Sequence, residues 1–289
     1  MTTEKRLGIL LFVSALFLFA VLDTTSKYLT AFFSVPLLVW ARYTVHLLLM
    51  LVFIVPGTGR EIVVTDKPGL LILRGFTLLL ASIFLQLALR SLPIAETSAI
   101  FFTSPLIVAL LAGPLLGEKV GIRHWLATLG GFAGVLLIAR PGGAIGGTGL
   151  IYAVCAAMSF ASYQILTRKL SATEPVMRQL FYTALVGSIA MLPVVPFFWT
   201  GTIPTLTQAF LIVSLGLTAG TGHFLLTRAF RETPASTLSP MLYLQLVWVA
   251  LLGWIVFDQY PDALSAIGIL FIVLSGLSLV LYANRPDNS

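Results

Sequence analysis

The sequence predicts an all-α integral membrane protein of ten transmembrane helices in two inverted five-helix repeats, and three observations carry that expectation. Of its 289 residues, 58% are hydrophobic and 10% charged, where soluble domains are about a quarter charged. With a mean hydropathy of +1.01, the chain has more apolar surface than a globular core could hide. The apolar residues also fall into runs of the length that a bilayer core about 30 Å thick demands. Finally, the chain repeats itself. Leu92 to Val120, laid without gaps on Thr233 to Pro261, matches Pro93 to Pro234, Ser98 to Ser239, and VALL at 108–111 to VALL at 249–252. The same displacement sets Leu85 on Leu226, Ala88 on Ala229 and Arg90 on Arg231.

Taken in order, the expected spans are 7–29, 36–56, 69–91, 92–116, 122–139, 148–170, 176–199, 206–230, 234–257 and 262–283. The first follows Lys5 and Arg6 as a signal peptide would, but no small-x-small cleavage site follows it, so it reads as a span. Joints at 30–35, 117–121 and 231–233 are tight turns, and the polar stretch 57–68 is too short to fold alone. Pro105 and Pro240 are expected to interrupt the fourth and ninth spans. The small-xxx-small pairs Gly113 with Gly117, Gly130 with Gly134 and Gly216 with Gly220 predict close helix approach.

Basic residues set the orientation. With a cytoplasmic N-terminus, the inner ends carry Lys5, Arg6, Arg60, Lys67, Lys119, Arg123, Arg168, Lys169, Arg178, Arg228, Arg231 and Arg285, and the outer loops only Arg90 and Arg140. Lys27, Arg42 and Arg74 remain inside spans. The net charge of +6 is therefore a topology signal, not a nucleic-acid stripe. Ten spans return the C-terminus to the cytoplasm. The lone Cys155 excludes a disulfide framework or a Cys-based metal site within one chain.

Each half holds five spans, an odd number, so the second must cross the membrane upside down. The division places one repeat at 1–140, a glycine-rich joint at 141–149 and the other repeat at 150–289. Pro36, Tyr43 and Thr44 fall on Pro175, Tyr182 and Thr183; Lys27 falls on Arg168, and Gly134 on Gly276. The joint's GGAIGGTG lacks both a following Lys-Ser or Lys-Thr and the GxGxxG spacing, so it reads as a flexible turn and not a phosphate cradle.

Paired five-span halves, SPLIVALLAGPLLGE at 104–118 and GGFAGVLLIARP at 130–141 together resemble the EamA branch of the drug/metabolite transporter (DMT) superfamily, and the resemblance covers nearly the whole chain. It implies a secondary transporter of the inner or plasma membrane, working by alternating access on a small-molecule substrate, with a coupling proton or ion as a further partner. It implies no cofactor and no nucleic acid. One departure stands out: Gly117-Glu118 in the first half becomes Asp258-Gln259 in the second.

Ionisable groups inside spans mark candidate sites by their cost. Asp23 and Lys27 stand four apart on the first span, either as a self-neutralising pair or with Asp23 lining a cavity. Arg42 and His46 form a second such pair, where the other half has Phe181 and Leu185; Arg42 either pairs Asp23 or meets a substrate anion. Glu96 sits in a first helical turn, favoured there by the dipole alone or serving as an amine contact or proton carrier. His223, aligned with Ser82, is a helix contact or a titrating group. Gln86, Tyr163, Gln164, Tyr243 and Gln245 need partners in a neighbouring helix or a hydrated cavity. Phe101, Phe102 and Trp248 read as packing or lipid-facing residues.

The expected substrate-binding set is thus Asp23, Arg42, His46, Glu96, Tyr163, Gln164, His223, Tyr243 and Gln245, with Asp23, Arg42 and Glu96 sharing one cavity open to the outer side. Their mixed charges favour a zwitterionic or amphipathic, amino-acid-like substrate. A membrane-embedded enzyme acting on a lipid or isoprenoid is the alternative, but HExxH, DDxxD and a nucleophile with a nearby base are all missing from the sequence.

Overall fold

A computed structural model describes residues 3–91, 94–140, 147–199, 201–258 and 261–283. Every regular element in it is helical: α1 (Thr3–Leu29), α2 (Val35–Phe53), α3 (Val55–Thr58), α4 (Pro68–Ser91), α5 (Ile94–Phe101), α6 (Ser104–Leu116), α7 (Ile122–Ala139), α8 (Gly147–Ser171), α9 (Val176–Met191), α10 (Leu206–Glu232), α11 (Ala235–Leu238), α12 (Leu244–Phe257) and α13 (Ala263–Ala283), with 3-10 turns at Gly59–Ile62, Val195–Phe198 and Ser239–Tyr243. Among the described residues, seven stretches are long and apolar enough to cross a membrane: Arg6–Leu29, Val35–Phe53, Pro68–Leu89, Ile122–Ala139, Gly147–Ser171, Leu206–Glu232 and the broken stretch Ala235–Val256. Three shorter apolar helices, Ser104–Leu116, Val176–Met191 and Ala263–Ser278, accompany them.

Prolines account for much of the difference from ten uniform spans. The fourth expected span breaks between α5 and α6, and Pro105 stands in the first turn of α6. The ninth breaks at the 3-10 turn holding Pro240. Proline has no N–H for the ladder and its ring crowds the carbonyl one turn back, so a helix restarts there more readily than it continues. The seventh stops at Met191, before Pro193 and Pro196. The polar stretch 57–68 does not stand alone: Tyr182 donates to the Val63 carbonyl at 2.8 Å, Arg178 Nε to the Glu61 carbonyl at 3.0 Å, and Thr65 to Glu174 at 2.9 Å.

The helices pack in matching sets. α1 runs along α10 and α8 along α4; α2 meets α10 as α9 meets α4; α2 and α9 pack together, as do α7 and α13. The main core fills with Phe12, Leu16, Leu226 and Phe230, the two phenyl rings meeting edge-on at 5.8 Å. Large apolar side chains such as Leu10, Phe53, Ile122 and Phe210 cover the outside, as a lipid-facing surface requires. Phe101 packs on Phe160, Phe102 on Tyr243 and Trp248 on Phe17.

Lipid is as apolar as leucine, so helices in a bilayer gain by close contact more than by hiding apolar surface. At the α7–α13 contact, a Cβ added to Gly134 would stand 2.6 Å from the Gly268 carbonyl, and one on Gly268 as close to that of Gly134. Gly130 meets Ser275 in the same way, and Gly216 and Gly220 let Val45 and His46 of α2 lie against α10. The pair Gly113 and Gly117 does something else. Gly113 has room for a methyl group, and Gly117 ends α6 with φ +69, a conformation open to glycine at little cost.

Gly134→Ala should therefore destabilise the fold by about 1–3 kcal/mol through forced separation of α7 and α13. Gly253→Ala, with nothing within 4 Å of its added methyl, should not. Thermal unfolding of both variants in the same detergent makes the comparison.

Candidate functional site

Among the described residues the largest wholly buried side chain is that of Arg74 on α4. Its Nε donates to Thr167 Oγ1 at 2.8 Å; Nη1 donates to the Gln179 carbonyl at 2.9 Å and Thr183 Oγ1 at 2.6 Å; Nη2 donates to Tyr163 OH at 3.2 Å and Thr227 Oγ1 at 3.1 Å. All five guanidinium donors are thus used, on acceptors from α8, α9 and α10, and none of those acceptors is charged. The cation also lies 4.7 Å from the centre of the Tyr163 ring. Sequence reading left Arg74 as one more basic residue inside a span. The signal it did carry is asymmetry: the displacement of the repeat sets it opposite Leu215.

Four of the expected site residues meet in two pairs that the sequence did not predict. Tyr163 OH lies 2.9 Å from His223 Nδ1, and the His223 ring leans on Phe19 at 4.8 Å. Gln245 of α12 donates to Asp23 of α1 at 2.9 Å, and the Asp23 side chain is exposed.

Other candidates stand apart. Arg42 is half-buried, its Nη2 3.4 Å from Ser82 Oγ and its guanidinium 4.9 Å from the centre of the Tyr43 ring. It makes no salt bridge to Asp23 among the described residues. His46 is buried against Gly220 and lines an apolar pocket of about 310 Å³ between α2, α9 and α10, with Met50, Met177 and Phe224. Glu96 lies on α5, its side chain outside the described residues.

Gln164 and Tyr243 differ from all of these. Both are completely buried, yet among the described residues neither the Gln164 amide, at nitrogen or oxygen, nor the Tyr243 hydroxyl has a hydrogen-bond partner. Ser104 and Ser239, at the start of α6 and of the 3-10 turn, are unpartnered in the same way.

The two ends of the bundle are tied differently. At one, Glu118 accepts from Arg168 Nε at 3.0 Å and from the backbone N–H groups of Ala235 and Ser236 at 3.0 and 2.9 Å. Arg168 also donates to the Phe230 carbonyl. The sequence had flagged Glu118 as a departure from the repeat but named no partner for it. At the other end Arg140, exposed, pairs with Asp262. The hydrogen bond from Arg140, with help from the Ser265 N–H, holds the Asp262 carboxyl well below the usual carboxylate range.

An apolar helical shell around buried polar groups defines an integral membrane protein. The chain belongs to the EamA-like transporter family, whose model matches residues 6–140 and again 147–282. It is similar to an S-adenosylmethionine uptake transporter of Rickettsia bellii, 28% identical over 92% of this chain and 90% of that protein. A riboflavin transporter of Vibrio cholerae is 28% identical over 93% and 91%, and a pseudopaline exporter of Pseudomonas aeruginosa 27% identical over 94% and 95%. A solved crystal structure shares the fold with a TM-score of 0.83 at 20% identity, over 96% of this chain and 99% of that one.

Arg74→Lys keeps the charge but offers three donors where five are used. Stranding two or more buried acceptors should cost about 2–4 kcal/mol, read as a lower midpoint of thermal unfolding. Thr183→Val removes one acceptor and should cost less.

Proposed function

We propose that this chain is a secondary transporter of the inner membrane that moves a small polar or amphipathic metabolite, amino-acid-like in its charges, by alternating access. Ten crossings in two inverted halves, residues 1–140 and 150–289 about the joint 141–149, give the rocking bodies. The matching packing of α1 on α10 and α8 on α4 supports that division, as does the double match to the family model. N- and C-termini face the cytoplasm on this reading, as the basic residues require.

Gln164 carries the reading. An amide buried without a partner costs about 1–3 kcal/mol, and α8, which bears it, packs against α4, α5 and α6 of the first half and α9, α10 and α11 of the second. A solute reaching between the halves would supply the missing hydrogen bonds. Tyr243 adds a second such group, and Asp23 and Arg42 are the charged groups of the proposed route from the outer side. Relatives named for uptake of S-adenosylmethionine and for riboflavin favour an organic metabolite of that size class over an ion.

Thermal-shift measurement on the purified protein against a library of amino acids and amino-acid-derived metabolites tests the substrate class, since a ligand that binds only the folded state raises the midpoint. Gln164→Leu should abolish the shift while leaving the ligand-free midpoint equal or higher. A shift from lipids alone would refute the reading. For topology, reporters fused at Gly59, Gly121 and the C-terminus should read cytoplasmic, and those at Ser34, Gly143 and Gly201 external.

A further inference from the structure

Beside the Glu118–Arg168 pair lies a cleft of about 300 Å³ bounded by Leu115, Leu116, Glu118, Arg168, Lys169 and Arg231, among others. It holds three cations against one carboxylate. Glu118 is already spent on Arg168 Nε and on two backbone N–H groups. Arg168 uses Nε and Nη1, and among the described residues its Nη2 donates to no protein acceptor. Lys169 and Arg231 are exposed, and neither forms a salt bridge among the described residues.

We propose that this cleft binds a phosphate group. A phosphoryl anion supplies the negative charge and free acceptor oxygens that the single, already engaged carboxylate there does not. Arg168 Nη2 gives it a planar, oriented donor and Lys169 and Arg231 two mobile ones, a combination suited to phosphate. Binding leaves the Glu118–Arg168 pair in place, because the donor it uses is the spare one. The group would tie the end of α8, which carries Arg168 and Lys169, to the end of α10, which carries Arg231. It would thus hold closed the end of the bundle that Glu118 already fastens. On the topology proposed above this end is cytoplasmic, where free phosphate esters and the headgroups of anionic phospholipids present the same chemistry.

The test uses the full-length protein in a non-ionic detergent, with thermal unfolding followed in inorganic phosphate and in chloride at matched ionic strength. Phosphate should raise the midpoint saturably. Lys169→Ala with Arg231→Ala, both exposed positions, should leave the midpoint in chloride unchanged and raise the half-saturating phosphate concentration about tenfold or more. A second arm compares nanodiscs of phosphatidylcholine with and without phosphatidylglycerol. If inorganic phosphate is silent but phosphatidylglycerol raises the midpoint of the unsubstituted protein and not of the double variant, the phosphate is a lipid headgroup. No shift from either source, or a shift of equal size in the double variant, overturns the proposal. Neither arm involves transport, so failure here is distinct from failure of the transporter reading.

Discussion

The architecture depends on one guanidinium satisfied without a counter-ion. A buried arginine is normally argued from its carboxylate partner; Arg74 has none, and neutral oxygens meet each of its five donors. The threonines are suited to that task. Thr167 and Thr183 give their own protons to carbonyls one turn back, those of Tyr163 and Gln179, and so face Arg74 as acceptors with no competing donor. Because the acceptors come from α8, α9 and α10, the axial positions of three helices are set relative to α4 by one side chain. Hydrophobic burial cannot set them in lipid, where sliding one apolar helix along another changes little.

That fixed frame gives direction to the hydrogen bonds beyond it. Arg74 can only donate, so Tyr163 must accept from it, and the same hydroxyl links the frame to His223 Nδ1. The ends of the bundle are under different rule. Gly117 and Asp258, at equivalent places in the repeat, both stop their helices in the left-handed conformation, with φ +69 and +55. Aspartate is one of the few residues with a side chain that tolerate it. The backbone turn is therefore kept in both halves while the residue after it changes from Glu118 to Gln259. The fastening through Glu118 thus arises from a side chain that the repeat does not copy, on a backbone turn that it does.

What the sequence made legible were features that repeat or that act locally. Composition announced the membrane, and Pro105 and Pro240 announced the breaks in the helices that hold them. The glycines at 130, 134, 216 and 220 announced close contacts, since a missing Cβ acts wherever a neighbour approaches. Gly117 was misread because spacing alone does not separate a helix contact from a helix stop. Contacts between distant residues left little trace. Gln245 and Asp23 were both recognised as polar groups at depth, but nothing local pairs residues 222 positions apart. Arg74 was passed over for a related reason. Its acceptors are a tyrosine, scattered threonines and a carbonyl, none of which looks like a partner for a cation until three helices bring them to one point. Span lengths were overestimated where prolines near the ends, as at 193 and 196, shortened the helix.

The polar interior divides by how completely it is satisfied, and on the transporter reading proposed above that division separates frame from site. Arg74 and Glu118 have their principal hydrogen bonds within the protein, and a solute would gain little by approaching them, since each new bond would replace one already made. Gln164 and Tyr243 are as deeply buried but, among the described residues, have no such bonds to lose. Desolvating an amide or hydroxyl without a partner costs about 1–3 kcal/mol, a penalty already present in the folded protein. A solute that meets them recovers that free energy on arrival, and one lacking the matching donors and acceptors does not. Selectivity on this basis needs no charge at the centre of the bundle. The charged groups can then serve to hold the helices in place, which is where Arg74 and the Glu118–Arg168 pair are found.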